Sequence, residues 1–403
     1  SGTAAGFGAT GAVSWDTTKI TADPSPAVSG VGYFCDTSGG AFTVTLPLSP
    51  AAGAVIGVSD YANIFATNNL TLGRNGSNIG GVAADSTLVV NGAAVTLVYV
   101  DATKGWIVTD SGLQSDASEL VLYVTATGGT ITTSGDYKIH SFTGPGTFCV
   151  SCAGNAGGSN TTDYMVVAGG GGGGGSSPGY YSGGGGGAGG YRESPGTVSG
   201  SYSVSPLGVA PAAALPISVQ PYPITIGAGG SGGTNNSSAP SRSNGTKGSL
   251  STFSSITSTG GGGGGASQFA VDLPNANGGS GAGSGGNTCG PRSSGNTPPV
   301  TPPQGSNGGL GPSASSGRGS AGGGATGVGT DDAFNAAGGT GATTSISNSP
   351  VTYSTGGNGG SQIPCAANVG AANTGNAGQA GNDTTNGGTG GSGIVIIRYK
   401  FQN

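Results

Sequence analysis

The chain has 403 residues, of which 91 are glycine and 22 proline; only 7% are charged and the formal net charge is −5. Ordinary proteins use roughly 7% glycine, so the composition excludes a standard globular domain, while the low charge separates it from typical disordered chains. Eleven Lys and Arg with no basic cluster leave nothing to neutralise a phosphate backbone, and no apolar run approaches the ~18 residues of a helical span, so neither nucleic acid nor membrane insertion is expected.

Residues 1 to about 112 read as an all-β module. Short β-rich runs (GVGYFCDT, AFTVTLPL, AVIGVSDYA, NLTLGR, STLVV, AVTLVYVD, GWIVTD) are separated by Gly, Asn and Asp clusters. Asn75-Gly76 and Asn91-Gly92 are the strongest turn signals. Alternation in Phe42-Val44-Leu46 and Val95-Leu97-Tyr99 predicts one buried face per strand. The fold expected is a small β-sandwich or β-prism, with Trp15 and Trp106 as core or subunit-contact aromatics.

The strings GFGATGAVSWDTTKIT, VGYFCDTSGGAFTVTLP, DYANIFATNNLTLGRNGSNI and VTLVYVDATKGW resemble a module of tail-fibre and related structural proteins from phages of marine bacteria, cyanophages especially. The resemblance covers nearly all of residues 1–112. It implies a shaft or adaptor unit and a homotrimer, joined to other virion fibre or baseplate proteins.

After the polar stretch SGLQSDAS, residues 113–168 read as scaffold strands in an antiparallel arrangement: ELVLYVTATGG, TITTSGDYKIHSFTGPGTFCVS and TTDYMVVAGG alternate apolar and polar residues. His140, the single histidine, has no partner nearby in sequence and reads as a structural strand residue. Of five cysteines, Cys149 and Cys152 form a CxxC in a strand-like segment, where residues three apart are expected on opposite faces. They read as small buried residues or an incidental pair; Cys289 and Cys365 are open to bridging, and five cysteines cannot all pair within one chain.

Residues 169–403 are the glycine-rich part. Seven consecutive glycines, Gly169 to Gly175, follow the apolar Tyr164–Ala168, and further runs stand at Gly183 to Gly187, Gly260 to Gly265 and Gly322 to Gly324. The chain closes on the apolar segment 394–401, which needs a sheet to pair with. Gly/Ser tracts are ordinarily flexible linkers; the bracketing strands and interleaved Tyr and Phe argue against that here. The ordered alternative is a bundle of polyproline II (polyglycine II) helices at about 3.1 Å per residue, with glycine wherever a neighbour packs. The absence of a Gly-X-Y period excludes collagen. The ensemble TGGTITTSGDYKIHSFTGPGTF, DYMVVAGGGGGGG, YPITIGAGG and GGTGGSGIVIIRYK resembles the glycine-rich C-terminal domain of the same phage fibres; the proline-rich PLGVAPAAALPISVQP and the cysteines depart from that pattern.

A rigid bundle frees the connecting segments to vary. These are Ser176–Ser182, Tyr191–Gly196, Thr234–Lys247, Ala266–Asn277, Asn287–Gln304, Val328–Asn335, Thr343–Thr355 and Gln362–Asn376. Within them Tyr180, Tyr181, Tyr191, Arg192, Phe269, Arg292, Asp331, Asp332, Phe334 and Tyr353 are the candidate contacts to a host-surface polysaccharide or outer-membrane protein. GxGxxG strings are expected by chance at this glycine content, and no P-loop lysine, carboxylate pair or serine-nucleophile signature appears. No enzyme, cofactor or metal is therefore expected. With Ser1 first and Met165 the single methionine, the chain is expected to be processed or part of something longer.

The function expected is that of a virion-borne, extracellular phage tail-fibre adhesin. The alternative is a non-adhesive capsid or neck fibre, or an extracellular filament that only spaces or decorates.

Overall fold

The computed structural model describes residues 13–113, 121–155, 157–179, 181–196, 202–235, 243–268, 272–288, 290–311, 317–360 and 366–402. The chain divides into two compact units, residues 1–120 and 121–403. Nearly all regular structure is β.

The first unit holds β1 (Ser14–Ile20), β2 (Val31–Cys35), β3 (Phe42–Thr45), β4 (Val55–Asp60), β5 (Leu70–Gly73), β6 (Ser86–Leu88), β7 (Ala93–Tyr99) and β8 (Trp106–Leu113). One sheet runs β1-β2-β4-β7-β8 and the other β3-β5-β6. Strands β2 to β5 alternate between the sheets and pair in parallel, β2 with β4 and β3 with β5, so the chain coils from one sheet to the other. The alternating residues face the shared core as expected: Val44, Leu46 and Leu97 are buried, and Phe42, Val95 and Tyr99 pack against them. Asn75-Gly76 and Gly92 take positive φ in turns, the conformation their small or short polar side chains tolerate. Trp106 is buried in the core, whereas Trp15 lies on the exposed strand β1, its ring against Gly32 and Phe34.

The second unit holds β9 (Val124–Thr127), β10 (Thr130–Ser134), β11 (Tyr137–Phe142), β12 (Gly146–Ala153), β13 (Thr161–Val167), β14 (Tyr191–Glu193), β15 (Leu215–Pro216), β16 (Pro221–Thr225), β17 (Ser251–Phe253), β18 (Ile256–Ser258), a one-turn α1 (Leu273–Ala276), β19 (Ala342–Thr344), β20 (Val351–Tyr353) and β21 (Ile394–Lys400). Sheets β10-β11-β21-β13-β14 and β18-β17-β16-β12-β9 enclose Phe148, Tyr164, Val166, Phe253, Val395, Ile397 and Tyr399. The closing strand β21 lies centrally between β11 and β13 and is covered on both faces, because Ile394 and Ile396 belong to a second core with Met165, Tyr191, Ile346 and Tyr353. That explains its unbroken apolar run.

One expectation fails on β12. Its pairing with β9 slips between Val150 and Cys152: Cys149 opposes Thr127, Val150 opposes Ala126, and Cys152 opposes Thr125. The β-bulge inserts Ser151 and returns Cys152 to the side of Cys149, so the two cysteines share the outer face instead of pointing apart. Cys289 and Cys365 lie outside the described residues.

The glycine tracts are ordered by backbone hydrogen bonds that rotate with a three-residue period. Gly169 and Gly172 donate to Ser249 and Thr246, Gly170 and Gly173 to Gly391 and Gly388, and Gly171 and Gly174 to Gly187 and Gly184. The carbonyls of Gly169 and Gly172 accept from Gly261 and Gly264, those of Gly170 and Gly173 from Gly230 and Gly233, and those of Gly171 and Gly174 from Gly378 and Gly381. With Gly175 bonded to Ser243 and Ser267, all fourteen backbone groups of the seven glycines are paired, at 2.8–3.2 Å, to six neighbouring segments. Such closure removes the penalty of burying peptide groups.

Glycine is required there for steric reasons. A β-carbon on Gly169 would strike the carbonyl oxygen of Ala228, one on Gly172 that of Ser231, and one on Gly173 that of Gln379. Where a segment lies at the rim the constraint relaxes at every third position. Ala228, Ser231 and Thr234 are exposed along one rim segment and Ser243, Thr246 and Ser249 along the next.

Candidate functional site

Successive glycine segments run away from the sheets and back. From β13 the chain goes out along 169–175 and returns antiparallel along 183–190 into β14; from β16 it goes out along 227–234 and returns along 243–249 into β17; the last return, 387–393, enters β21. The connecting turns therefore fall at two ends. At the sheet end stand β14, the β17–β18 and β19–β20 hairpins and the turn before Gln304, whose carbonyl accepts from Tyr191 N–H. At the far end the turns contact one another: Gly286 N–H donates to Ser182 O, Ser182 N–H to Gly317 O, Ser176 Oγ to Thr385 O and Asn235 N–H to Asn386 Oδ1.

The far end gathers five of the expected contact residues. Arg292 donates through Nη2 to Asp331 at 2.7 Å and through Nη1 to Gly308 O at 3.0 Å. Leu310 N–H donates to Asp331 Oδ1 at 2.8 Å, so one carboxylate ties together three segments remote in sequence. Asp332 follows, half-buried, and Phe334 stands 48% exposed with the Arg318 guanidinium 5.3 Å from its ring centre, within cation–π range. Tyr181 also lies at this end, half-buried, its carbonyl accepting from Ser177 N–H. The result is an exposed ring, two arginines and two carboxylates on a braced surface, suited to stacking and hydrogen bonding with a polar ligand. Tyr180 and Phe269 lie outside the described residues.

Three expected contacts are placed otherwise. Tyr191 and Tyr353 are buried core residues at the sheet end, and Arg192 is half-buried on β14, opposite Val166. The segments Tyr191–Gly196 and Thr343–Thr355, expected as display loops, are thus packing elements. An even alternation of outgoing and returning segments sends half the turns to the strands, and local composition does not say which half. Arg318 and Leu310 escaped notice because each is a single larger residue in a run of glycine and serine; the scarcity of cations in the chain was the one signal available for Arg318.

The sheet end carries a buried polar cluster of its own. Glu193, 2% exposed, accepts from Thr344 Oγ1 at 2.6 Å, Tyr191 Oη at 2.8 Å and Ser205 N–H at 2.9 Å. Burial pushes its carboxyl up from the ordinary range despite these donors. Asp163 accepts from Ser194 Oγ at 2.7 Å. Arg398 donates to Ile346 O and stacks on Tyr137 and Tyr202. His140 is fully buried between the sheets, Nδ1 at 2.7 Å from Gly128 O and Nε2 at 3.0 Å from Tyr399 Oη. A carbonyl partner requires Nδ1 to carry the hydrogen, so Nε2 accepts from the tyrosine; burial lowers the imidazole pKa. The residue is structural, as its strand setting suggested.

A family model described as a glycine-rich domain matches residues 143–400, which is more than half of the chain. A search of curated proteins found no match.

Proposed function

Because the chain belongs to this glycine-rich domain family, we propose that it is a phage tail-fibre adhesin whose glycine segments are polyproline II helices and whose far-end turns contact the host surface. The reading rests above all on the Arg292–Asp331 brace that holds Phe334 out at the end of the bundle opposite the strands. Three residues per turn is the period of a polyproline II helix, and it is the period with which the hydrogen-bond partners of Gly169–Gly175 rotate.

The role proposed is multivalent adhesion. Several weak sites on a homotrimeric fibre add through effective concentration, with other virion fibre or baseplate proteins as partners in the particle. The target class is a host-surface polysaccharide or outer-membrane protein. The test is adsorption of the purified chain to host cells, with the 328–335 turn exchanged for that of a related fibre. Host range should follow the exchanged turn. Failure of the parent chain to bind any host cell would favour the non-adhesive fibre or filament instead. Circular dichroism tests the helix assignment separately: a polyproline II signature lost in one cooperative transition is expected.

A further inference from the structure

The CxxC of β12 is left unused by adhesion. Phe148 and Val150 point into the sandwich core and Ala153 packs against it. Between Val150 and Ala153 stand two residues where a regular strand has one, and the register puts Cys152 opposite Thr125 and Cys149 opposite Thr127. Both threonines are exposed, Cys149 is exposed, Cys152 is half-buried, and both thiols are free. Ser151 Oγ donates to Thr125 O at 3.2 Å, bracing the bulge that brings the thiols to one face.

We propose that Cys149 and Cys152 chelate a single thiophilic monovalent cation, Cu(I). Their cross-strand partners are two residues apart on one strand, which sets the cysteine backbones about 7 Å apart. A disulfide wants β-carbons at about 3.8 Å, so direct closure is disfavoured. A two-coordinate ion with metal–sulfur bonds of roughly 2.3 Å spans on the order of 4.5 Å between sulfurs, a gap that two side chains leaning toward each other close. Soft thiolate donors select Cu(I). On binding, each thiol loses its proton to solvent and each sulfur lone pair forms one S–Cu bond; copper stays Cu(I) and no electron is transferred. The surroundings, Thr125, Thr127, Ser151 and Pro221, are neutral and supply no competing ligand of higher affinity.

The test uses the full chain, reduced and anaerobic, with Cys289 and Cys365 replaced by Ser, titrated with Cu(I) against bicinchoninate. One equivalent should bind. Cys149→Ser and Cys152→Ser should each weaken binding at least ~100-fold, the scale of losing an intramolecular second contact. Deletion of Ser151 should leave one-equivalent binding in place, because the single residue it leaves between Val150 and Ala153 is Cys152, still opposite Thr125 on the face of Cys149. Should that deletion fail to fold, as read by thermal melting, the two Ser variants decide alone. Binding unchanged in either Ser variant overturns the proposal. So does quantitative closure of a Cys149–Cys152 disulfide in air without loss of thermal stability.

Discussion

Thr344 Oγ1 donates to Glu193 Oε1 at 2.6 Å across 151 residues of sequence. This bond fastens the β19–β20 hairpin onto β14, and with Tyr191 and Ser205 it converts an expected display loop into a lid over the outer core of the second unit.

The node has a pH signature. Glu193 titrates above its ordinary value in the folded chain, so between that value, near 4.5, and the raised one the folded state holds more protons than the unfolded state. Its contribution is full below the unfolded pKa and is lost as pH rises through the folded pKa. Urea melts across this window should show stability falling with pH, and Glu193→Gln should flatten that limb. The Gln variant should also lose about 1–3 kcal/mol, since an amide cannot accept from all three donors.

His140 acts in the opposite sense. Its pKa is lowered by burial, so stability is full above the unfolded value near 6.5 and falls as pH drops through the folded pKa. Acidification should bring on unfolding of the second unit, and His140→Gln should remove that limb of the pH dependence while leaving the higher-pH plateau nearly level.

Interior and rim positions of the glycine bundle should respond differently to one added methyl or one removed hydroxyl. Gly172→Ala drives a β-carbon into the Ser231 carbonyl oxygen, an overpacking that costs about 3 kcal/mol or more where backbone cannot shift. Ser231→Ala, at an exposed third position, should stay within ~0.5 kcal/mol. Thermal melts of the two variants make the comparison; equal effects would remove the enclosure argument.

At the far end, Phe334→Ala should leave the melting transition in place and reduce cell adsorption about tenfold or more, as loss of an aromatic anchor does. Asp331→Asn breaks an exposed pair whose direct stabilisation is only ~0–1 kcal/mol, so its effect should appear in adsorption, through loosening of the 331–335 turn, far more than in stability.

By itself the sequence determined the class of structure. Alternation in Val44, Leu46 and Leu97 declared strands with one buried face, the apolar segment 394–401 declared a strand that needs a sheet to pair with, and the length of the run Gly169–Gly175 declared a segment enclosed all round. Each follows from a residue's own chemistry repeated at a fixed period. What only tertiary structure decided was which end of the bundle each turn reaches, which tyrosines face inward, and on which side of β12 the second cysteine falls. Those depend on segment direction, on partners more than a hundred residues away, and on one inserted residue in a strand pairing. Local composition is the same in either outcome, so Tyr191 read like Phe334 until Glu193, Thr344 and Asp331 were seen in place.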